Sequence, residues 1–158
     1  GWLVASAAVA AETRICVVDP ESAINSTTEG KGAQTKLETL FASREAEIEK
    51  RKKALEKEFK DYEARQAILS EEARRAAEAS LITKRDELQA YVYQAEQEMQ
   101  STYMSLLAGM EEKLMTVAQG IGASKQCTVL LNKAAVIYVG SGVVDLTDDL
   151  VKAYDAQK

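Results

Sequence analysis

The sequence predicts an α+β protein in which a long antiparallel α-helical hairpin, a coiled-coil tentacle, is carried on a small β-rich body that oligomerises. Three observations predict this class. The 76 residues from 33 to 108 contain no glycine or proline, although average usage would place roughly nine there. Both residues destabilise helix interiors. Apolar residues recur within the stretch at heptad spacing, which is typical of coiled coils, and short β-branched runs lie outside it.

The first ten residues are predicted to be the remnant of a secretory signal peptide. They are small and apolar, and Ala8-Val9-Ala10 has the A-x-A form of a cleavage site. A buried N-terminal helix or a cloning remnant is the alternative. In an exported protein Cys16 and Cys127 could form a disulfide, but two small buried hydrophobic residues explain them equally well.

Residues 11–32 are predicted to form the first part of the body. A β-branched run from Arg14 to Val18 is stopped by Asp19-Pro20, which predicts a strand. A helical turn over residues 21–25 should follow, because proline suits the first position of a helix. Residues 26–28 are candidate N-caps for the next helix.

Residues 33–113 are predicted to form the hairpin arm, with its tip near residues 70–72. Two apolar series of period seven occur here: Phe41, Ile48, Leu55, Tyr62 and Leu69, followed by Leu81, Leu88, Ala95 and Thr102. Twelve residues separate the two series, so the register breaks between them. A hairpin would pair residues whose numbers sum to 143. It would also bring the first strand to those beyond residue 126, which a single rod would leave far away.

Residues 114–158 are predicted to complete the body with two strands and a C-terminal helix. Gly120-Ile121-Gly122 should end the long helix, and strands are expected at 127–131 and 135–139 with a turn at 132–134. Thr147-Asp148-Asp149 predicts the N-cap and first turn of a helix over residues 150–156. A body of about 60 residues is marginal as an independent core, which favours self-association.

Composition argues against several classes of function. The net charge is −5, whereas binding to nucleic acid usually needs a basic surface. The chain has no histidine, the commonest general base and metal ligand. No nucleophile–base arrangement, phosphate loop or nucleotide fingerprint is present. We therefore expect no enzymatic activity, no cofactor, no metal site and no nucleic-acid partner.

Two sets of apolar residues are the candidate functional surfaces. Those in the arm that the seam does not obviously use are candidates for contact with flexible partners, the alternative being a wider helix–helix interface: Phe59, Ile68, Ile82, Tyr91, Tyr93, Tyr103 and Met104. Those in the predicted strands are candidates for oligomerisation, the alternative being the chain's own core: Ile15, Val17, Val129, Leu131, Val136, Ile137 and Tyr138.

Three segments carry a resemblance to a known family. The start ICVVDPESAINSTTEGKGAQTKLETLF, the tip AILSEEARRAAE and the ending TVLLNKAAVIYVGSGVVDLTDDLVKAY resemble the OmpH/Skp family of periplasmic chaperones, in the same order. The terminal motifs are fairly specific, whereas the helical middle could match any coiled coil.

The resemblance implies a jellyfish-shaped homotrimer whose helical tentacles enclose unfolded outer-membrane proteins without using ATP. We therefore expect a periplasmic holdase, and the alternative is a structural or adaptor coiled-coil protein of the cell envelope. The best-known member of the family is basic, whereas this chain has a pI near 5.0. Membrane or lipopolysaccharide contact is for that reason not carried over to Arg74, Arg75, Lys84 and Arg85.

Overall fold

The computed structural model describes residues 12–157, so the predicted signal-peptide remnant lies outside the described residues. The elements are β1 (Ile15–Val18), α1 (Pro20–Ser26), α2 (Thr28–Arg65), α3 (Glu71–Ser124), β2 (Val129–Asn132), β3 (Val144–Asp145) and α4 (Thr147–Ala156). They fall into two compact units. Among the described residues, the body unit comprises residues 12–31 and 108–157, and the hairpin unit comprises residues 32–107. The predicted α+β class is confirmed.

The body unit contains a three-stranded sheet in the order β2-β1-β3. Both outer strands run parallel to β1, with Ile15 opposite Val129 and Cys16 opposite Val144. The four residues of β1 form the central strand of the sheet. Three of them, Cys16, Val17 and Val18, are buried. This central position explains why β1 is apolar on both faces.

The predicted strand at 135–139 and its hairpin turn are wrong. After β2, a 3-10 turn over Lys133–Ala135 is capped by the Asn132 side chain, which accepts a hydrogen bond from the Ala134 amide at 2.9 Å. The chain then reaches β3 without further sheet pairing. Lys133 and Asp145 form a 2.8 Å ion pair. The capped turn and the ion pair thus belong to a connection that leads to the parallel strand β3. The sequence predicts an antiparallel hairpin here.

Helix α1 starts at the proline that the sequence predicts, and α2 starts within the predicted cap region, residues 26–28. Pro20 is the first residue of α1, and the Asp19 side chain caps the helix by accepting from the Ser22 amide. The buried Thr27 hydroxyl accepts from the Gly30 amide at 2.9 Å, so α2 already begins at Thr28. A Cβ at Gly30 would lie 1.8 Å from the Ile24 carbonyl oxygen, so only glycine fits this close approach.

The predicted end of α3 at Gly120–Gly122 is wrong by about one turn. The helix continues to Ser124, because single glycines weaken a helix without necessarily ending it. The chain leaves the helix at Gln126, which has a positive φ of 58°. Cys127 then forms a disulfide with Cys16 of β1, across 111 residues of sequence.

Helix α4 also differs from the prediction in its first turn. It begins at Thr147, and Thr147 is not its side-chain cap. The Thr147 hydroxyl instead accepts from the Asp19 amide at 3.0 Å and donates to Asp145. The hydroxyl therefore connects the end of β1 to the end of β3. The amide that donates to it, that of Asp19, lies 128 residues away in the sequence.

The hairpin unit is held together by half-buried residues of α2 and α3. Leu55 and Leu88 belong to this seam, as the pairing rule predicts, and Ala95 is one of its few fully buried residues. Phe41, predicted to belong to it, is 56% exposed. Leu37 and Leu55, five helical turns apart, are both half-buried. The other eight positions of the two predicted series are half-buried or buried. The eighteen residues from Leu37 to Leu55 are two heptads plus a step of four, so the heptad seam is confirmed everywhere except at Phe41.

The tip of the hairpin lies slightly earlier than predicted. Helix α2 ends at Arg65 and α3 begins at Glu71, so residues 66–70 form the connection. The Ser70 hydroxyl accepts from the Ala73 amide at 3.2 Å, as an N-cap does. Ser70 therefore ends the connection, and the acidic pair Glu71-Glu72 forms the first turn of α3.

Candidate functional site

Three polar contacts join α2 to α3 along one edge of the seam. The Arg44 guanidinium donates two hydrogen bonds to Glu98, at 2.6 and 2.7 Å. Arg51 stacks 4.2 Å above the centre of the Tyr91 ring, and Lys84 donates to Glu58. In α2 and in α3 alike, the three residues recur every seven positions. We call this side of the hairpin the polar edge.

The polar edge shifts the pKa values of its strongest pair. The hydrogen bond from Arg44 lowers the pKa of the Glu98 carboxylate, and the same bond raises the pKa of Arg44. Nearer the tip, a hydrogen bond to Glu78 raises the pKa of the Tyr62 hydroxyl. All of these groups reach solvent, so the contacts fix pairing geometry and add little to global stability.

The opposite edge of the seam carries exposed aromatic side chains. Phe59 follows the seam residue Leu55 by four positions, whereas the polar Glu58 follows it by three. On a helix with 3.6 residues per turn, the residue three positions on and the residue four positions on lie to opposite sides of the starting residue. Phe41 lies five turns before Phe59, and Tyr103 lies four positions after the half-buried Met99. These three rings, each more than half exposed, form what we call the aromatic edge.

Six of the seven arm candidates are exposed in the hairpin unit. Phe59 and Tyr103 lie on the aromatic edge, Ile68 lies in the tip connection with 83% exposure, and the other three lie on the outer surface of α3: Ile82, Tyr93 and Met104. Tyr91 differs, because it is half-buried beneath Arg51. The candidate list omitted Phe41, whose spacing of eighteen residues from Phe59 is the signal that identifies it.

The oligomerisation candidates divide into surface and core in the body unit. Val17 is 1% exposed, so it belongs to this chain's own core. Val136 is half-buried. The remaining five are exposed large hydrophobic residues, and Ile137 and Tyr138 are almost completely so, at 105% and 82%: Ile15, Val129, Leu131, Ile137 and Tyr138.

A cluster of polar contacts around the buried Tyr154 anchors the C-terminal helix of the body unit. The buried Tyr154 hydroxyl donates to Glu29 at 2.6 Å, and Lys113 donates to the same carboxylate and lies 4.0 Å from the Tyr154 ring centre. The hydrogen bond from Tyr154 lowers the pKa of Glu29, while burial raises the pKa of Tyr154. The neighbouring Asp155 accepts from the Thr28 amide at 2.9 Å. The end of α4 thus fixes the start of α2.

Two classes of site are not found within residues 12–157. These residues contain no group of three or more histidine, cysteine, aspartate or glutamate side chains placed to hold a metal ion. In the same part of the chain, no helix combines the length and apolar character needed to cross a membrane.

Comparison with known proteins identifies the class of protein. The sequence model of the OmpH family, described as outer membrane protein (OmpH-like), matches residues 14–154. The chain therefore belongs to the OmpH family, whose outer-membrane chaperones support a chaperone role for it. No curated protein matches the chain significantly.

A solved structure gives the same result. It is that of a candidate outer membrane chaperone, OmpH-like, from Caulobacter crescentus CB15. The two chains share 26% sequence identity with a TM-score of 0.85, and the match covers 94% of this chain and 88% of that one. The likeness thus extends over both units of the fold.

Proposed function

We propose that this protein is an ATP-independent periplasmic holdase that binds unfolded outer-membrane proteins between helical arms and prevents their aggregation. The observation that supports this most directly is the dispersal of exposed apolar side chains over the hairpin unit. They are separated by charged and amide residues and form no continuous patch. Dispersed aromatic, isoleucine and methionine contacts suit many unrelated partners, because each contact is weak and adaptable.

The proposed assembly is a homotrimer formed through the body unit. Five exposed apolar residues support self-association, since Ile137 and Tyr138 in particular have little cover from their own chain. Large exposed apolar side chains close to a sheet edge mark an interaction surface. Native mass spectrometry at micromolar concentration should report three chains per particle. A monomer under these conditions would contradict the assembly.

The holdase function is tested by light scattering. A urea-denatured outer-membrane barrel protein is diluted into buffer with and without the purified chain, and scattering is followed over time. We expect the chain to suppress scattering without added nucleotide, and an equal mass of an unrelated soluble protein to leave it unchanged. Equal scattering in both samples would overturn the proposal.

The polar edge gives some support to a second function, that of a structural or adaptor protein of the cell envelope. Three regularly spaced cross-helix contacts favour a stiffly paired segment, which a spacer needs. Affinity capture separates the two functions. Many unfolded partners bound in varying amounts indicate a holdase, and one folded partner bound stoichiometrically indicates an adaptor.

A further inference from the structure

The Cys16–Cys127 disulfide joins the two separate parts of the chain from which the body unit is built. Residues 12–31 supply β1 and α1, and residues 108–157 supply β2, β3 and α4. The bond spans 111 residues of sequence, so the whole hairpin unit lies within the loop that it closes. The chain has only two cysteines, so no other disulfide within the chain can replace this one.

The backbone pairing that holds β1 in the sheet is short. Strand β1 pairs with β2 over four residues and with β3 over only two. Beside the disulfide, the Thr128 amide donates to the Arg14 carbonyl at 2.7 Å, and the Arg14 amide donates to the Thr128 hydroxyl at 2.9 Å. The body has about 70 residues, a size at which a single core is marginal. The disulfide should therefore supply a large share of the stability of the body.

The pairing of β1 with β2 also places part of the exposed apolar surface of the body. Ile15 lies opposite Val129, and Val17 lies opposite Leu131. Because paired residues and every second residue of a strand share one face of a sheet, Ile15, Val129 and Leu131 lie on the same face. Each of these three is 38% or 39% exposed. The disulfide joins the residue after Ile15 to the residue two before Val129, so it holds together the strands that create this group.

We infer that oxidation of Cys16 and Cys127 controls assembly: the reduced chain stays largely monomeric, and closure of the disulfide lets the body fold and self-associate. This inference rests on the proposed homotrimer and on the proposed periplasmic location. The reaction transfers two electrons from the two thiols to a disulfide oxidant such as oxidised glutathione. One S–S bond forms in the chain, the S–S bond of the oxidant breaks, and the two thiol protons leave with its two thiol products.

The length of the closed loop sets the size of the effect. Closing 111 residues raises the ratio of folded to unfolded body about a thousandfold or more, which is comparable with the whole ratio for a small, marginal domain. If only folded bodies associate, the apparent association constant of three chains varies with the third power of the folded fraction. A fall of that fraction to about one tenth thus weakens assembly about a thousandfold.

The redox state differs between the compartment where a chain is made and the one where this chain is proposed to act. Thiols are kept reduced in the cytoplasm, whereas disulfides form and persist in the periplasm. A newly made chain should therefore stay unassembled before export and assemble after it. Assembly, and the holdase function that depends on it, is thereby confined to the oxidising compartment.

The test is native mass spectrometry of the full chain at micromolar concentration, before and after reduction with dithiothreitol. The oxidised chain should be trimeric, and reduction should lower the amount of trimer about tenfold or more. Removing the reductant and adding oxidised glutathione should restore the trimer. A reduced chain that remains trimeric would overturn the inference, and so would a trimer that does not return on oxidation.

A matched variant separates loss of the bond from the presence of the reductant. Cys16→Ala/Cys127→Ala keeps small apolar side chains at both positions and cannot form the bond. It should show the low trimer content of the reduced chain, with and without dithiothreitol. A variant as trimeric as the oxidised chain would show that assembly does not need the bond.

Amide hydrogen exchange links the loss of assembly to the body. Val17 and Leu150 are buried in the body core, at 1% and 0% exposure. Their amides should exchange more than about a hundredfold faster in the reduced chain, because exchange of core amides follows the stability of the unit to which they belong. Unchanged exchange at both residues would contradict the inference, since the body would then fold without the bond.

These outcomes distinguish the inference from the proposed function. If the oxidised and reduced chains are equally trimeric, redox control is refuted and the homotrimer stands. If the oxidised chain is monomeric, the homotrimer is refuted and redox control falls with it. If the oxidised chain is trimeric and the reduced chain is not, but the trimer fails to suppress client aggregation in light scattering, the holdase function is refuted and redox control stands.

Discussion

The body unit and the hairpin unit are stabilised in different ways. The body has a fully buried core that includes Leu146, Leu150 and Tyr154, and the Cys16–Cys127 disulfide crosslinks it. The hairpin relies on half-buried seam residues and solvent-exposed polar pairs. Since burial and crosslinking supply most of the stability of a fold, global stability should reside in the body. The hairpin should open locally more readily, as a surface that accommodates varied partners requires.

The largest expected effect is that of removing the disulfide. Closing a loop of 111 residues stabilises a fold by about 5 kcal/mol through the lost entropy of the unfolded chain. A Cys16→Ser/Cys127→Ser variant should therefore unfold at a markedly lower urea concentration. Reductant should lower the midpoint of the original chain to a similar value and leave that of the variant unchanged. Identical midpoints for both proteins without reductant would contradict the prediction.

Matched leucine substitutions compare the two units directly. Leu150 in α4 is 0% exposed, so Leu150→Ala should lower the free energy of unfolding by about 3 kcal/mol. Leu88 in the seam is half-buried, and Leu88→Ala should cost about 1 kcal/mol, because part of its surface already contacts water. Urea unfolding measures both values. An equal or larger cost at Leu88 would show that the hairpin is not the weaker unit.

Much of this architecture could be predicted from local sequence signals. The absence of glycine and proline predicts the long helices, Pro20 predicts the start of the first helix, and residues 26–28 predict the N-cap of the next one. Each of these signals acts within a few residues of its effect. The resemblance to the OmpH family was also correct. Two of its three segments lie towards the ends of the described chain, and the third lies at the tip of the hairpin.

The errors arise where a distant contact decides the outcome. Residues 135–139 are as apolar as a strand, but β1 pairs with the two-residue β3 instead. Thr147 has the sequence of a cap, but its hydroxyl bonds to the Asp19 amide. Among the candidate surface residues, Val17 and Tyr91 are covered because β1 is central in the sheet and because Arg51 happens to reach the ring. None of these contacts has a signal in neighbouring residues.

A smaller effect concerns the pH dependence of the body. The hydrogen bond from Lys133, followed by those from Thr147, lowers the pKa of Asp145 from 3.8 to about 2. A carboxylate with a lowered folded-state pKa contributes stability above its unfolded value, and that stability is lost as the pH falls from about 4 towards 2. Because the side chain is partly exposed, the contribution should remain below ~1 kcal/mol.

The measurement is urea unfolding at several pH values between 2 and 5. Asp145→Asn should remove part of the acid-induced loss of stability, whereas Asp148→Asn, a control in the first turn of α4, should retain it. Parallel pH profiles for the original chain and Asp145→Asn would contradict the assignment. The effect should be confined to the body unit, where both partners of Asp145 lie.

The smallest expected effect tests the polar edge of the hairpin. Arg44→Gln removes both hydrogen bonds to Glu98. Because both side chains of the pair still reach solvent, the global unfolding midpoint should change little. Amide hydrogen exchange should nevertheless become faster in α2 and α3 around residues 44 and 98, because local opening no longer has to break the bidentate contact. Lys52→Gln, an exposed position of the same helix, is the control and should leave exchange unchanged. If Arg44→Gln lowered the global midpoint as much as Leu150→Ala, the polar edge would be a principal source of stability, and the contrast between the two units would be lost.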